Sequence, residues 1–267
     1  MKSGGTEAGV AAEFERRADR AEALALEQES AREPLRFMAG LNRTQGRAAE
    51  AIEQLHRAEP WSGDLRRDVV RLLEVVRGVL RFASESGPPP LAMEAAARAA
   101  EESAVARARL CAYWDEQPVD YLSRAQLRPW AEVLCRLGVR PSRALTPSRC
   151  AFCGGGPWVA SRRGEGNMQG AARYLHCALC GSSWQINRIV CAACGEKNPD
   201  RLPAFSTEAH PEARVEACET CHKYVKSIDL TTDARRLPEV DDVASVALDL
   251  WAHEKGFSRI EPGPAGL

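Results

Sequence analysis

Cys150-Ala-Phe-Cys153, Cys177-Ala-Leu-Cys180, Cys191-Ala-Ala-Cys194 and Cys218-Glu-Thr-Cys221 carry the pattern from which the fold of this 267-residue chain follows. Between the first two pairs lie 23 residues, between the middle two 10, and between the last two 23 again, so one unit occurs twice. Each unit places two thiolate pairs on a loop of 31 residues, the arrangement of a ribbon whose two knuckles grip one tetrahedral ion from opposite sides. Gly154, Gly181 and Gly195 follow three of the pairs and can take the left-handed backbone that turns main-chain N–H groups toward the sulfurs; His222 follows the fourth. A loop this short buries too little apolar surface to fold alone, since domains below ~40 residues usually need a metal or disulfides. A structural tetrathiolate contributes about 10 to 16 kcal/mol of apparent binding energy, ample for that task. Equal gaps favour pairing the first knuckle with the second and the third with the fourth, although the short central gap also permits a central pairing. Zinc and iron both accept four thiolates in a tetrahedron.

The same pattern excludes other chemistry. Catalytic zinc keeps a position open for water, whereas four cysteines fill the shell, which argues against hydrolysis. A redox dithiol of the thioredoxin kind belongs at the start of a helix in a βαβ unit, and nothing around these pairs reads that way. Between Cys150 and Lys226 there are nine Lys or Arg against seven Asp or Glu. Eight thiolates around two divalent ions add about four negative charges, so the loaded segment is slightly acidic. A nucleic-acid ribbon needs a basic face for phosphate, and none is expected here.

With 45% apolar residues and a net charge of −1, the composition is globular and long enough for two domains. Met1 to Arg16 contains Glu7 and Glu13 and no apolar core, so no signal peptide is expected. Leu65 to Ala83, the richest apolar stretch, is interrupted by seven charged residues, so no membrane insertion is expected. A cytoplasmic protein is anticipated, and in a reducing compartment paired cysteines are metal ligands more often than disulfides.

Residues 8 to 137 read as helices. Leu65, Val69, Leu72, Val76 and Leu80 recur at helical spacing behind a cap at Ser62. Another helix is expected from Pro34 to about His56, closed by Pro60. Gly87-Pro88-Pro89-Pro90 breaks the chain before a helix from about Met93 to Trp114, and Leu122 to Leu137 gives one more. Pro141 to Ser148 reads as a linker. Beyond it Trp158 to Ala160, Ser183 to Ile186 and Tyr224 to Lys226 have strand preferences, and a last helix is expected from Asp242 to about Lys255. The fold class is thus α plus small β: an all-helical domain over 1–140, ribbon modules over 141–186 and 187–230, and a C-terminal helix and tail over 231–267. Cys111 and Cys135 read as buried, inert thiols on helices. His176 and His222 adjoin the knuckles as surface groups or partners of the ligands, and Tyr174, Trp184 and Arg188 lie beside the sites.

Cys150-Ala-Phe-Cys-Gly, Arg173-Tyr-Leu-His-Cys-Ala-Leu-Cys, Trp184 with Arg188, Cys191-Ala-Ala-Cys-Gly and Glu216-Ala-Cys-Glu-Thr-Cys-His-Lys-Tyr together resemble the FdhE family of formate dehydrogenase accessory proteins. Asp241-Asp242-Val-Ala-Ser-Val-Ala-Leu-Asp249, then Glu254-Lys-Gly-Phe257, looks like that family's closing helix. The helical half matches in length and in short pieces such as Pro34-Leu35-Arg36-Phe37. The resemblance implies two tandem rubredoxin-like modules that carry iron, with zinc possible, on Cys150, Cys153, Cys177, Cys180, Cys191, Cys194, Cys218 and Cys221. It also implies a cytoplasmic, non-enzymatic assembly factor whose partner is the catalytic subunit of formate dehydrogenase. Rival readings are a zinc-ribbon nucleic-acid-binding protein and a rubredoxin-type electron carrier. The sequence departs from the family at Gln185, where histidine is common, at Gly155 and Gly156, and in the short tail after Arg259.

Overall fold

Helix α1 (Val10–Glu27) buries Val10, Phe14, Ala18, Ala21 and Ala25, a stripe of small and apolar residues at helical spacing that lets α2 (Arg32–Ala58) pack closely alongside. The computed structural model describes residues 9–116, 118–143, 145, 149–164 and 170–263. The first eight residues and half of the expected linker over 141–148 lie outside them. Helix α3 (Leu65–Ser86) follows, then α4 (Pro89–Ala99), α5 (Ser103–Glu116) and α6 (Tyr121–Leu137). Val69, Leu72 and Val76 of α3 meet Leu110 and Trp114 of α5 and Leu127, Trp130 and Leu134 of α6 in the main core. The edge-to-face pair of Trp114 and Trp130, 5.1 Å between centroids, sits at its centre.

Two expectations for the helical half are corrected. The cap of α3 is Asp64, whose side chain accepts from the Arg66 N–H at 3.0 Å; Ser62 instead donates its hydroxyl to Asp68 at 2.8 Å. The alanine-rich run expected as one helix from Met93 to Trp114 is two helices, turned at Ala100–Glu102. The turn sends Ala95 into the layer formed by Leu80, Ala83 and Leu122, and Ala106 and Leu110 into the main core. One straight helix cannot reach both.

Among the described residues, seven strands then form a single sheet: β1 (Pro157–Gly164), β2 (Ala171–Cys177), β3 (Ser183–Ile186), β4 (Ala204–Thr207), β5 (His210–Ala217), β6 (Lys223–Asp229) and β7 (Ser258–Arg259). Its order is β3-β2-β1-β6-β5-β4, with β7 beside β6. Each knuckle pair contributes an antiparallel meander, and the two meanders join through parallel pairing of β1 with β6, Val159 opposite Lys226.

Helices α7 (Pro238–Ala244) and α8 (Val246–Glu254) lie on one face of this sheet. The expected single helix from Asp242 starts earlier, at Pro238, and breaks at Ser245. The break has a partner. The ammonium of Lys226, fully buried beneath it, donates to Asp242 O at 2.5 Å and to Ser245 O and Oγ at 3.1 and 3.2 Å, so carbonyls freed from the helix satisfy a buried cation.

Candidate metal centres

The chain brings its eight paired cysteines together in two clusters of four: Cys150, Cys153, Cys177 and Cys180 form the first, Cys191, Cys194, Cys218 and Cys221 the second. Consecutive knuckles pair, and the central pairing is excluded. In the first cluster Cys150 and Cys180 sulfurs are 3.6 Å apart and those of Cys153 and Cys177 3.4 Å; in the second, Cys191 and Cys221 are 3.8 Å apart and Cys194 and Cys218 3.7 Å. Metal–sulfur bonds near 2.3 Å in a tetrahedron require edges of about 3.8 Å, so both clusters fit one ion each. None of the ten cysteines is in a disulfide.

The knuckles share one local design. The residue after each pair donates its N–H back to the carbonyl of the first cysteine: Gly154 to Cys150 at 2.8 Å, Gly181 to Cys177 at 3.3 Å, Gly195 to Cys191 at 3.1 Å and His222 to Cys218 at 2.9 Å. This turn requires positive φ, which all four residues adopt, at 70°, 68°, 79° and 54°. His222 is the one non-glycine among the described residues to do so, and its ring lies against Phe257. Backbone N–H groups then reach the sulfurs: Leu179 and Cys180 approach Cys177 at 3.4 and 3.5 Å, and Ala193 and Cys194 approach Cys191 at the same distances. Gly155, the insertion in the first knuckle, is required by its surroundings, because a Cβ there would lie 2.8 Å from the Cys177 sulfur.

Their settings differ. The first cluster is wholly buried and belongs to the same core as Trp114, Trp130 and Leu134. Ser182 Oγ lies 3.1 Å from the Cys150 sulfur and 3.0 Å from that of Cys180, while Cys111 and Cys135, expected as buried, inert thiols, are only half-buried. Burial first, and neighbouring sulfurs next, push the Cys177 thiol well above its ordinary value. Four sulfurs this close together ionise at once only with a cation among them. In the second cluster Cys194 is exposed and Cys221 half-buried. His176 is buried, bonded to Ser161 at 2.8 Å and pushed down to about 4 by burial, so it is a neutral structural group. Trp184 packs against the first cluster's core, whereas the Tyr174 ring stacks under Arg163 and Arg188 is exposed beside the second.

Two buried charge networks hold these clusters in place, and neither is visible in sequence spacing. Arg17 of α1 donates to Glu132 of α6 and pairs with Glu239 of α7 at 2.8 Å, while Arg128 bridges the same two carboxylates. Gly181 packs on this network with no room to spare. Asp242 of α7 receives Trp158 Nε1 at 3.0 Å and Arg259 at 2.8 Å, and Asp249 of α8 receives Lys226 at 2.5 Å and Tyr224 OH at 2.7 Å. Asp241 pairs with Arg20 of α1. The acidic closing helix is therefore a clamp between helices and sheet. Glu261 in the tail reaches Arg124 of α6 at 3.1 Å.

Fold and sites define a two-layer protein, a helical domain docked on a sheet that carries two tetracysteine clusters. Family models described as the central and C-terminal domains of FdhE match residues 149–188 and 175–265. The chain is 37% identical over 112 residues to a protein FdhE homolog of Aquifex aeolicus, covering 42% of this chain and 39% of the relative. It is 32% identical over 152 residues to one of Pseudomonas putida, covering 54% and 46%. The matched stretches thus span less than half the length of these relatives. The solved FdhE protein from Pseudomonas aeruginosa is similar over 94% of this chain and 95% of its own, with a TM-score of 0.62 and 25% identity. Over residues 149–265 the chain is similar to the central and C-terminal domains of FdhE, and its fold is that of the solved FdhE protein.

Proposed function

We propose that this chain is a non-enzymatic accessory factor for formate dehydrogenase that binds the immature catalytic subunit in the cytoplasm. Its units are the helical domain over 1–140, the ribbons over 141–186 and 187–230, and the closing helices and tail over 231–267. The eight paired cysteines hold two metal ions, iron foremost and zinc as the alternative. One observation carries the metal reading: in each cluster the closest sulfur pairs, at 3.4 to 3.8 Å, have the spacing of a closed tetrathiolate. A bound ion cross-links two hairpin tips, and iron adds the capacity to exchange one electron. The protein's own residues do the rest: the clamp of Glu239, Asp241 and Asp242 fixes the ribbons against the helices, so both present one rigid surface. No coordination position is left for water, which supports a scaffold in place of a hydrolase.

Elemental analysis of anaerobically purified protein should find two ions per chain, and the chain should capture the catalytic subunit of formate dehydrogenase from an extract. A strain lacking the gene should contain that subunit in inactive form. Normal formate dehydrogenase activity in such a strain would rule the role out.

A further inference from the structure

The clusters are built alike but can lose an ion by very different routes. A closed tetrathiolate releases its metal when an incoming donor reaches the ion or a thiolate detaches and takes up a proton, and either event needs access. At the first cluster there is none: all four cysteines are buried, Leu179, Trp130 and Leu134 share their core, and Ser182 lies against two of the sulfurs. At the second, Cys194 is exposed and Cys221 half-exposed.

The surface beside that cluster is also charged. A cleft of about 130 Å³ opens beside Cys191 and is lined by Arg173, Arg188, Arg214 and Lys223, with Glu216 as its one acidic lining residue. Arg173 and Arg214 are both taken up by Glu216, at 2.7 and 2.6 Å. Arg188 and Lys223 have no carboxylate partner among the described residues. Such a site draws anionic donors.

We propose that the two centres divide their work: the first keeps its ion as a permanent part of the core, and the second, with Cys194 exposed and a cationic cleft beside Cys191, carries an ion exchangeable with an anionic chelating ligand. This rests on the reading of both clusters as metal sites. In the exchange the carboxylates of the ligand replace four thiolates on the ion, each thiolate takes a proton from water, and the metal keeps its oxidation state.

The full chain, loaded with zinc, is challenged with excess EDTA while released zinc is timed and newly freed thiols are alkylated and located by mass spectrometry. One ion should leave at least about tenfold faster than the other, a barrier difference of about 1.4 kcal/mol. Cys191, Cys194, Cys218 and Cys221 should be alkylated first. Cys194→Ser should abolish the fast-releasing ion and leave the slow phase unchanged. Because that variant also weakens the site itself, Arg188→Gln combined with Lys223→Gln gives an independent arm: it should slow the fast phase severalfold with EDTA but not with the neutral chelator 1,10-phenanthroline. Release of both ions in one phase, or earlier alkylation of Cys150, Cys153, Cys177 and Cys180, overturns the division of labour and leaves metal binding intact. A chain that takes up no zinc overturns the metal reading beneath it.

Discussion

Gly155 shows how much one missing side chain can matter. A methyl group there would stand 2.8 Å from the Cys177 sulfur and 3.1 Å from Leu179 Cβ, inside a cluster with no slack. Gly155→Ala should cost about 1 to 3 kcal/mol by overpacking and lower the zinc content of the first site, leaving the second loaded. Metal analysis with a urea titration measures both; an unchanged midpoint with two ions bound would contradict it. Asp242 carries a different burden, because Arg259, Lys226 and Trp158 all converge on its carboxylate. Asp242→Ala should destabilise the protein by about 3 to 5 kcal/mol, since two cations would remain buried with Asp249 alone between them. The cysteines were legible because ligand spacing is a local property of sequence. Lys226 and Arg17 were not: a lysine in a strand and an arginine in a helix look like surface residues until tertiary packing encloses them. Asp242 was visible within the motif that resembles the family, but what it touches was not.

At the level of elements, composition located most segments and tertiary demand set their ends. Ser183–Ile186 was read with its observed limits, and α6 within one residue, because each has its own periodicity and turn signals. Three ends were moved by partners far away in sequence. The Met93 to Trp114 run turns so that its halves serve two cores, α7 and α8 separate over Lys226, and α3 starts at Asp64 because Asp68 draws Ser62 Oγ and the Gly63 N–H to itself. The last point is testable. Asp64→Ala should cost about 1 kcal/mol through loss of the helix cap, a shift readable in a urea midpoint followed by far-ultraviolet circular dichroism. Asp68→Ala should cost more, because it leaves Gly63 N–H, which is buried with Gly63, without its acceptor. If Asp64→Ala is neutral, the cap assignment fails.

For the whole molecule, the two ribbons behave as one body, and sequence did not announce that. A repeat of 31-residue units suggests two separate beads; the parallel pairing of β1 with β6 joins residues almost 70 positions apart and has no local signature. That single sheet meets the helices through carboxylates whose protonation the structure penalises. Burial by itself would raise Glu239 and Asp242, but Arg17 and Arg128 around the first, and Arg259 and Lys226 around the second, outweigh it and hold both below the ordinary carboxylate range. The sign of the consequence follows from which state binds protons first. As pH falls, the unfolded chain takes up protons at ordinary values near about 4, while the folded chain resists until lower pH, so stability present at neutral pH is lost progressively below that point. The urea midpoint should therefore fall between pH 5 and about pH 3. Thiolate protonation and metal loss act in the same window, so the comparison that isolates the carboxylates is the double variant Glu239→Gln with Asp242→Asn. It should be weaker than the parent at pH 7 and lose less on acidification. If it falls as steeply as the parent, the acid response comes from the metal sites, and the clamp between helices and sheet contributes nothing to it.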